Sequence, residues 1–262
     1  MPAFLTALYG AVVYVAFLAT FLYAIGFVEG VAVPKTIDSG LAAGAPLSLL
    51  IDAALLGLFA LQHSIMARTG FKRLWTRVVP PQAERTTYVL FATAALALIC
   101  WQWRPWPLLV WSIEAPWAVA LIGAVSWCGW AMVLISTFLI SHGHLFGLEQ
   151  GFSRLLGRRP ATPRFVSPLF YRWVRHPIYA GFILAFWAAP RMSAGHLVFA
   201  GLTTAYIFVG IGLEERDLIA QFGERYELYR RNVGMLLPRL GSAARLRPLR
   251  RDRARPGPGT TL

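Results

Sequence analysis

Polar positions along this chain are bunched, and between the bunches run long stretches without charge. Residues 4–28, 86–103, 115–148 and 192–213 contain no Asp, Glu, Lys or Arg, and 47–67 is broken only by Asp52. A run of about 20 apolar residues is what an α-helix needs to cross the hydrocarbon of a bilayer. The pattern predicts spanning helices over residues 4–27, 47–66, 87–103, 117–140 and 195–213. A sixth apolar segment, 178–189, has only 12 residues before Pro190. It must tilt, thin the bilayer locally, or form a half-buried hairpin with the segment that follows. Further on, Leu218, Ile219, Phe222, Tyr226 and Tyr229 recur at helical spacing, which predicts an amphipathic helix over 214–232.

Composition agrees with that pattern. The chain is 57% hydrophobic and 14% charged, where a soluble domain carries about a quarter of its residues as charge. The expected fold class is an all-α integral membrane protein. It has five to six transmembrane helices, a short helical hairpin near the C-terminus and an amphipathic helix. The first run lacks a basic leader and a small-residue cleavage site before Glu29, so it reads as a retained helix. The Trp101 to Trp111 stretch, rich in tryptophan and proline, reads as an interfacial belt. Cys100 and Cys128 fall inside spans and read as packing residues. Residues 1–240 form one membrane-embedded domain, and the Arg-, Pro- and Gly-rich 241–262 reads as a disordered basic tail.

A net charge of +13 would suggest nucleic acid in a soluble protein. Here it reports topology instead. Connections 29–46, 104–114 and the link at Arg191 total zero, whereas 68–85, 149–176 and the chain from Glu214 onward total +14. Cytoplasmic loops are the ones enriched in Lys and Arg. Three hairpins with both termini in the cytoplasm follow, with the bilayer rather than nucleic acid as partner. The amphipathic helix then covers the cytoplasmic mouth.

His63, His142, His144 and His176 all fall on that side. They can be ordinary interfacial residues, metal or haem ligands, or parts of a pocket for a small charged ligand. Metal is disfavoured: His142 and His144 are two apart and no Cys or carboxylate joins them at ligand spacing. Tyr171-Arg-Trp-Val-Arg175-His176-Pro177-Ile-Tyr179-Ala-Gly181 favours the pocket. Pro177 disfavours the α conformation at His176 and suits the first turn of the helix after it. That helix start presents unpaired N–H groups and partial positive charge to an anion such as a carboxylate. Gly181 lets something approach the backbone closely. Glu214 and Glu215 at the end of the last apolar run supply the complement: a carboxylate at the membrane boundary needs a partner, and a ligand ammonium is one. The same features also suit arginines resting on headgroups and a solvated helix end neutralised by Arg216.

Arg175-His176-Pro177-x-Tyr179-x-Gly181, then Glu214-Glu215 and Phe222-Gly-x-x-Tyr226-x-x-Tyr229, resembles the isoprenylcysteine carboxyl methyltransferase superfamily of membrane enzymes. Leu61-Gln-His63-Ser64, Glu84-Arg-Thr-Thr-Tyr88, His142-Gly-His144-Leu-Phe-Gly-Leu148 and the block Phe182 to Pro190 narrow the resemblance to the bacterial methanethiol S-methyltransferases. The Leu-Gln-His-Ser element also occurs in a related family named after a denitrification-linked membrane protein. The resemblance reaches from near the N-terminus to about Pro238. It implies an S-adenosylmethionine-dependent enzyme of a bacterial inner membrane that converts methanethiol to dimethyl sulfide, with the cofactor-binding part at about 141–238. By resemblance, Tyr171, His176, Pro177, Tyr179 and one of Glu214 and Glu215 line the cofactor site. Gly181 joins them through its close-approach role. Arg175, His63 and His142 are the candidates for favouring the acceptor thiolate. Other acceptors (a prenyl-cysteine, a lipid amine, another thiol) and a non-enzymatic haem or metal carrier remain as alternatives.

Overall fold

A computed structural model describes residues 2–41, 43–140, 142–155, 157 and 167–239. The basic tail 241–262 lies outside the described residues. Five long helices carry the apolar runs: α1 (Ala3–Glu29), α2 (Ala45–Ala67), α4 (Pro81–Gln102), α5 (Pro116–Ile140) and α9 (Ala194–Phe222). The shortest of them has 22 residues, which at about 1.5 Å per residue is roughly 33 Å, enough for the hydrocarbon core. All five are long and apolar enough to cross a membrane. Their outer faces show Phe4, Leu8 and Val15 on α1, Trp127 and Phe138 on α5, and Phe208 and Val209 on α9. In water such a surface would aggregate; in lipid it is the expected exterior. The protein is an integral membrane protein.

Shorter elements fill the ends: α3 (Thr69–Trp75), α6 (His142–Leu145), α7 (Leu148–Leu155), α8 (Pro177–Trp187), α10 (Glu224–Asn232), a 3-10 turn at Leu169–Arg172, and strands β1 (Leu109–Ser112) and β2 (Arg191–Ser193). α8 packs chiefly on α5, and glycine makes the contact possible. A Cβ added to Gly129 would lie 2.6 Å from the Gly181 oxygen, and one added to Gly181 would lie 2.6 Å from the Gly129 oxygen. Without a hydrophobic force between helices in lipid, such close backbone approach is what holds two helices together. The close neighbour that the missing side chain of Gly181 admits is the backbone of α5.

The short segment crosses the bundle from end to end. α8 has 11 residues and rises only about 16 Å, and the extended chain after it completes the passage. β2 pairs antiparallel with β1, Leu109 opposite Ser193 and Ser112 opposite Arg191, and the Trp111 indole donates to the Ala189 carbonyl at 3.0 Å. This ribbon closes the end of the molecule remote from His176. Asp52 accepts the Arg104 N–H there at 2.8 Å, and Lys35 donates to the Trp101 and Trp103 carbonyls, capping the open end of α4. Trp103, expected at the interface, is fully buried against Phe27 and Phe199.

Two boundaries differ from expectation. α4 begins at Pro81, with proline in its first turn. No new helix starts at Glu214: α9 runs unbroken to Phe222 and turns at Gly223, whose φ of +55 favours glycine. α10 follows, packing Tyr226 and Tyr229 under Leu218, Ile219 and Phe222.

Candidate active site

Pro177 sits at the first position of α8, and His176 before it has φ −124 and ψ 66, outside the helical region. The approach to that helix is pinned by the end of α10. Val174 bridges Gly234 in parallel, the Arg175 N–H donates to the Gly234 carbonyl at 2.7 Å and the His176 N–H to the Met235 carbonyl at 3.1 Å. Tyr229 fastens the preceding turn by donating its hydroxyl to the Tyr171 carbonyl at 2.6 Å. Residues far apart in sequence thus hold one short backbone stretch still.

The charges then sort themselves. Arg175 donates Nε to Glu215 at 2.8 Å, and Nη1 to the carbonyls of Arg230 at 3.1 Å and Val233 at 2.5 Å. Glu215 also meets His176 Nε2 at 3.1 Å and Arg230 at 3.7 Å. Side-chain exposure is 6% for Arg175 and 9% for Glu215. A carboxylate so enclosed by cations is a structural ion pair, and its guanidinium partner caps the last carbonyls of α10. Arg175, expected to favour a thiolate, gives its Nε and Nη1 donors to Glu215 and to the carbonyls at the end of α10.

Glu214 stands differently. Its side chain is 44% exposed, 3.8 Å from His176 Nδ1, and it shares a side-chain hydrogen bond with Tyr179. Nearby, the Tyr171 hydroxyl is buried with no hydrogen-bond partner among the described residues. Burial and the Glu214 charge push its phenol above the usual tyrosine range, so it stays protonated. A buried donor without an acceptor costs about 1–3 kcal/mol, which a ligand acceptor would offset. The Ile178 and Tyr179 N–H groups, in the first turn of α8, have no intrahelical acceptor. On the Glu215 side an open cavity of about 420 Å³ is lined by Arg175, Glu215, Arg230, Arg231, Met235 and Arg239.

His142 belongs elsewhere. Its Nε2 lies 2.8 Å from the Tyr14 hydroxyl and its Nδ1 3.0 Å from Thr137 Oγ1, with the ring stacked flat on Phe138. Thr137 gives its own proton to the Leu134 carbonyl, so Nδ1 must donate and Nε2 must accept. Burial holds this imidazole below the ordinary histidine value. With both nitrogens occupied, His142 ties α1 to α5 and is not free to act as a base. His144 meets Gln150 and Glu149 at the surface.

His63 sits near the end of α2, packed against α4. Tyr88 of α4 sets its hydroxyl 2.8 Å from His63 Nε2, Phe59 stacks on the imidazole, and Arg85 lies over the Tyr88 ring. Ser64 reaches Tyr206 of α9 at 3.1 Å. Sequence reading missed Tyr206; the only signal was a phenol in an uncharged run. Among the described residues no group of three or more His, Cys, Asp or Glu could hold a metal ion.

Fold and centre together define a helical integral membrane protein with a cluster of paired charges beside an open cavity at one end of its bundle. Relatives by sequence then supply the family. The chain is 53% identical over 235 residues to methanethiol S-methyltransferase 1 of Bradyrhizobium diazoefficiens, covering 90% of this chain and 82% of that one. It is 52% identical over 238 residues to methanethiol S-methyltransferase of Mycobacterium tuberculosis, covering 91% and 98%. A more distant likeness, 30% over 198 residues and 69% of this chain, joins it to Nurim of Xenopus laevis. The chain belongs to the methanethiol S-methyltransferase family and is a methyltransferase. No family model and no solved structure matches it.

Proposed function

We propose that this protein methylates methanethiol to dimethyl sulfide, drawing the methyl group from S-adenosylmethionine at the cytoplasmic face of a bacterial inner membrane. What supports the site is a set of neighbours: the half-exposed Glu214 carboxylate beside His176, the buried Tyr171 hydroxyl without a partner among the described residues and within reach of the Glu214 charge, and the open start of α8. That set suits an amino acid headgroup. Glu214 takes the ammonium, and the first turn of α8 with the Tyr171 hydroxyl takes the carboxylate. Tyr179, hydrogen-bonded to Glu214, and His176, held by Glu215, fix the orientation of the carboxylate that does the binding. The unit that does this is the whole membrane domain 1–240, with cofactor contacts from its C-terminal part.

S-adenosylmethionine, when bound, supplies a methyl group on a cationic sulfur whose departure leaves a neutral thioether, so no acid is needed. The remaining work is to hold the acceptor in line, exclude water and raise its thiolate fraction. A thiol with a pKa of about 8.5, the cysteine value, is mostly protonated at neutral pH. His63 is the base we assign. His63 would take the thiol proton, leaving the acceptor sulfur's electron pair to form the new carbon–sulfur bond as the donor's own carbon–sulfur bond gave its pair back to the departing thioether. His63 then gives the proton to water. A small apolar thiol partitions into lipid and reaches His63 between helices, while the charged donor comes from the aqueous side.

Cells expressing the chain and fed methanethiol are expected to release dimethyl sulfide into the headspace. No release, with the protein confirmed in the membrane and donor present, would count decisively against this function.

A further inference from the structure

A row of half-buried polar groups interrupts the apolar interior beside Tyr179. Ser64 on α2 and Tyr206 on α9 approach to 3.1 Å, and next to them Tyr88 holds His63. Phe59 lies flat over His63, 5.2 Å between centroids, and edge-on to Tyr206 at 6.3 Å. One helical turn beyond Tyr206 is Gly210, where an added Cβ would meet only the Tyr179 hydroxyl, 3.9 Å away. His63, Ser64, Tyr179, Tyr206 and Gly210 are all half-buried, while Tyr88 behind them is buried. They follow one another along the seam between α2 and α9, with Tyr179 at the end next to Glu214.

Polar side chains inside a membrane span are costly and mark ligand paths. Paired hydroxyls alone could be helix–helix glue. Three features go beyond glue here. The row is only half-buried, it lies against Tyr179 beside Glu214, and it combines aromatic faces with hydroxyls around a glycine whose added Cβ would make only one ordinary contact. Aromatic faces suit a polarisable sulfur and a methyl group. Hydroxyl donors suit a sulfur gaining negative charge.

We propose that this α2–α9 seam holds the acceptor thiol, with Tyr206 and Ser64 directed at the sulfur and Gly210 setting how long an alkyl chain fits. The inference rests on the thiol-methylation reading above. In it, Tyr206 orients the sulfur toward Tyr179 while His63 takes its proton. Gly210 leaves room that a larger side chain would fill, so acceptor selectivity is written on α9 and donor affinity on Glu214.

The test uses the purified full-length protein in lipid nanodiscs, with methanethiol, ethanethiol and butanethiol as acceptors and calorimetric titration of S-adenosylmethionine. Gly210→Val is expected to raise the preference for methanethiol over butanethiol about tenfold or more, since each methylene in a pocket is worth at least about that much. Donor Kd should stay within about twofold. Tyr206→Phe is expected to raise the methanethiol KM more than it lowers kcat, again with donor Kd unchanged. Should Gly210→Val fail to accumulate, Gly210→Ala makes only ordinary contact and reads the same ratio on a smaller scale. An unchanged acceptor preference in the folded variant overturns the seam assignment, as does a donor Kd that moves in step. A wild type that methylates no alkanethiol overturns this inference and the proposed function together. A wild type that does, with selectivity untouched by Gly210, overturns this inference alone.

Discussion

Glu214 and Glu215 are neighbours on α9, turned about 100° from each other around its axis, and that turn gives them different surroundings. Glu215 is buried against Arg175 and His176; Glu214 is half-exposed beside Tyr179 and the other ring nitrogen of His176. Removing the Glu215 charge leaves the Arg175 guanidinium buried without its counter-ion. Glu215→Gln should therefore destabilise the protein by roughly 3–5 kcal/mol, read as a lower midpoint in thermal unfolding in detergent. Glu214→Gln should leave that midpoint in place and weaken S-adenosylmethionine binding by about 10- to 150-fold, as loss of one charge-assisted contact of roughly 1.5–3 kcal/mol implies. The reverse pattern would exchange the two roles. His142 makes a separate prediction. Its folded value lies below the ordinary one, so as pH falls through about 6.5 the unfolded chain binds the proton first and stability is lost. Protonation also removes the lone pair that accepts from Tyr14. Acidification from about pH 7.5 to 5.5 should lower the unfolding temperature of wild type more than that of His142→Gln. Equal acid shifts in the two proteins would show that His142 is not the group responsible.

At the scale of elements, the α5–α8 crossing is the joint on which the motif helix depends. Gly129 and Gly181 bring the two backbones together so closely that neither position has room for a Cβ without displacement. Gly129→Ala or Gly181→Ala should cost about 1–3 kcal/mol as the helices part. Either change should also reduce activity, because moving α8 moves His176 and Tyr179. Gly123→Ala, on the same α5 but with nothing within 4 Å of the added carbon, is the matched control and should behave as wild type. Comparing the three for yield, unfolding temperature and turnover separates packing from a general intolerance of alanine. The short length of α8 also finds its reason at this scale. Because β2 completes the crossing by pairing with β1, an 11-residue helix suffices where a free-standing span would need nearly twice that.

For the whole molecule, the distribution of basic residues predicts orientation. Alkaline phosphatase fused after residue 40 or 113 should be active, fused after residue 77 inactive, and a C-terminal fluorescent fusion should light up inside the cell. Active phosphatase at residue 77 would invert the topology and move the donor site to the wrong face. The sequence by itself determined that this is a helical membrane protein, because uncharged runs of spanning length leave a chain few other places to be. It also determined the family, because the Arg175 to Gly181 stretch and the glutamate pair stand in order along it. Only the tertiary structure decided which side chains are free to act. Arg175, His63 and His142 look alike as basic residues near one end of the bundle. Their roles depend on partners far away in sequence: the α10 carbonyls and Glu215 for Arg175, Tyr14 and Thr137 for His142, Tyr88 for His63. Hydrophobic periodicity reports what a segment buries, but a hydrogen bond is made across helices, and its geometry exists only once they have packed.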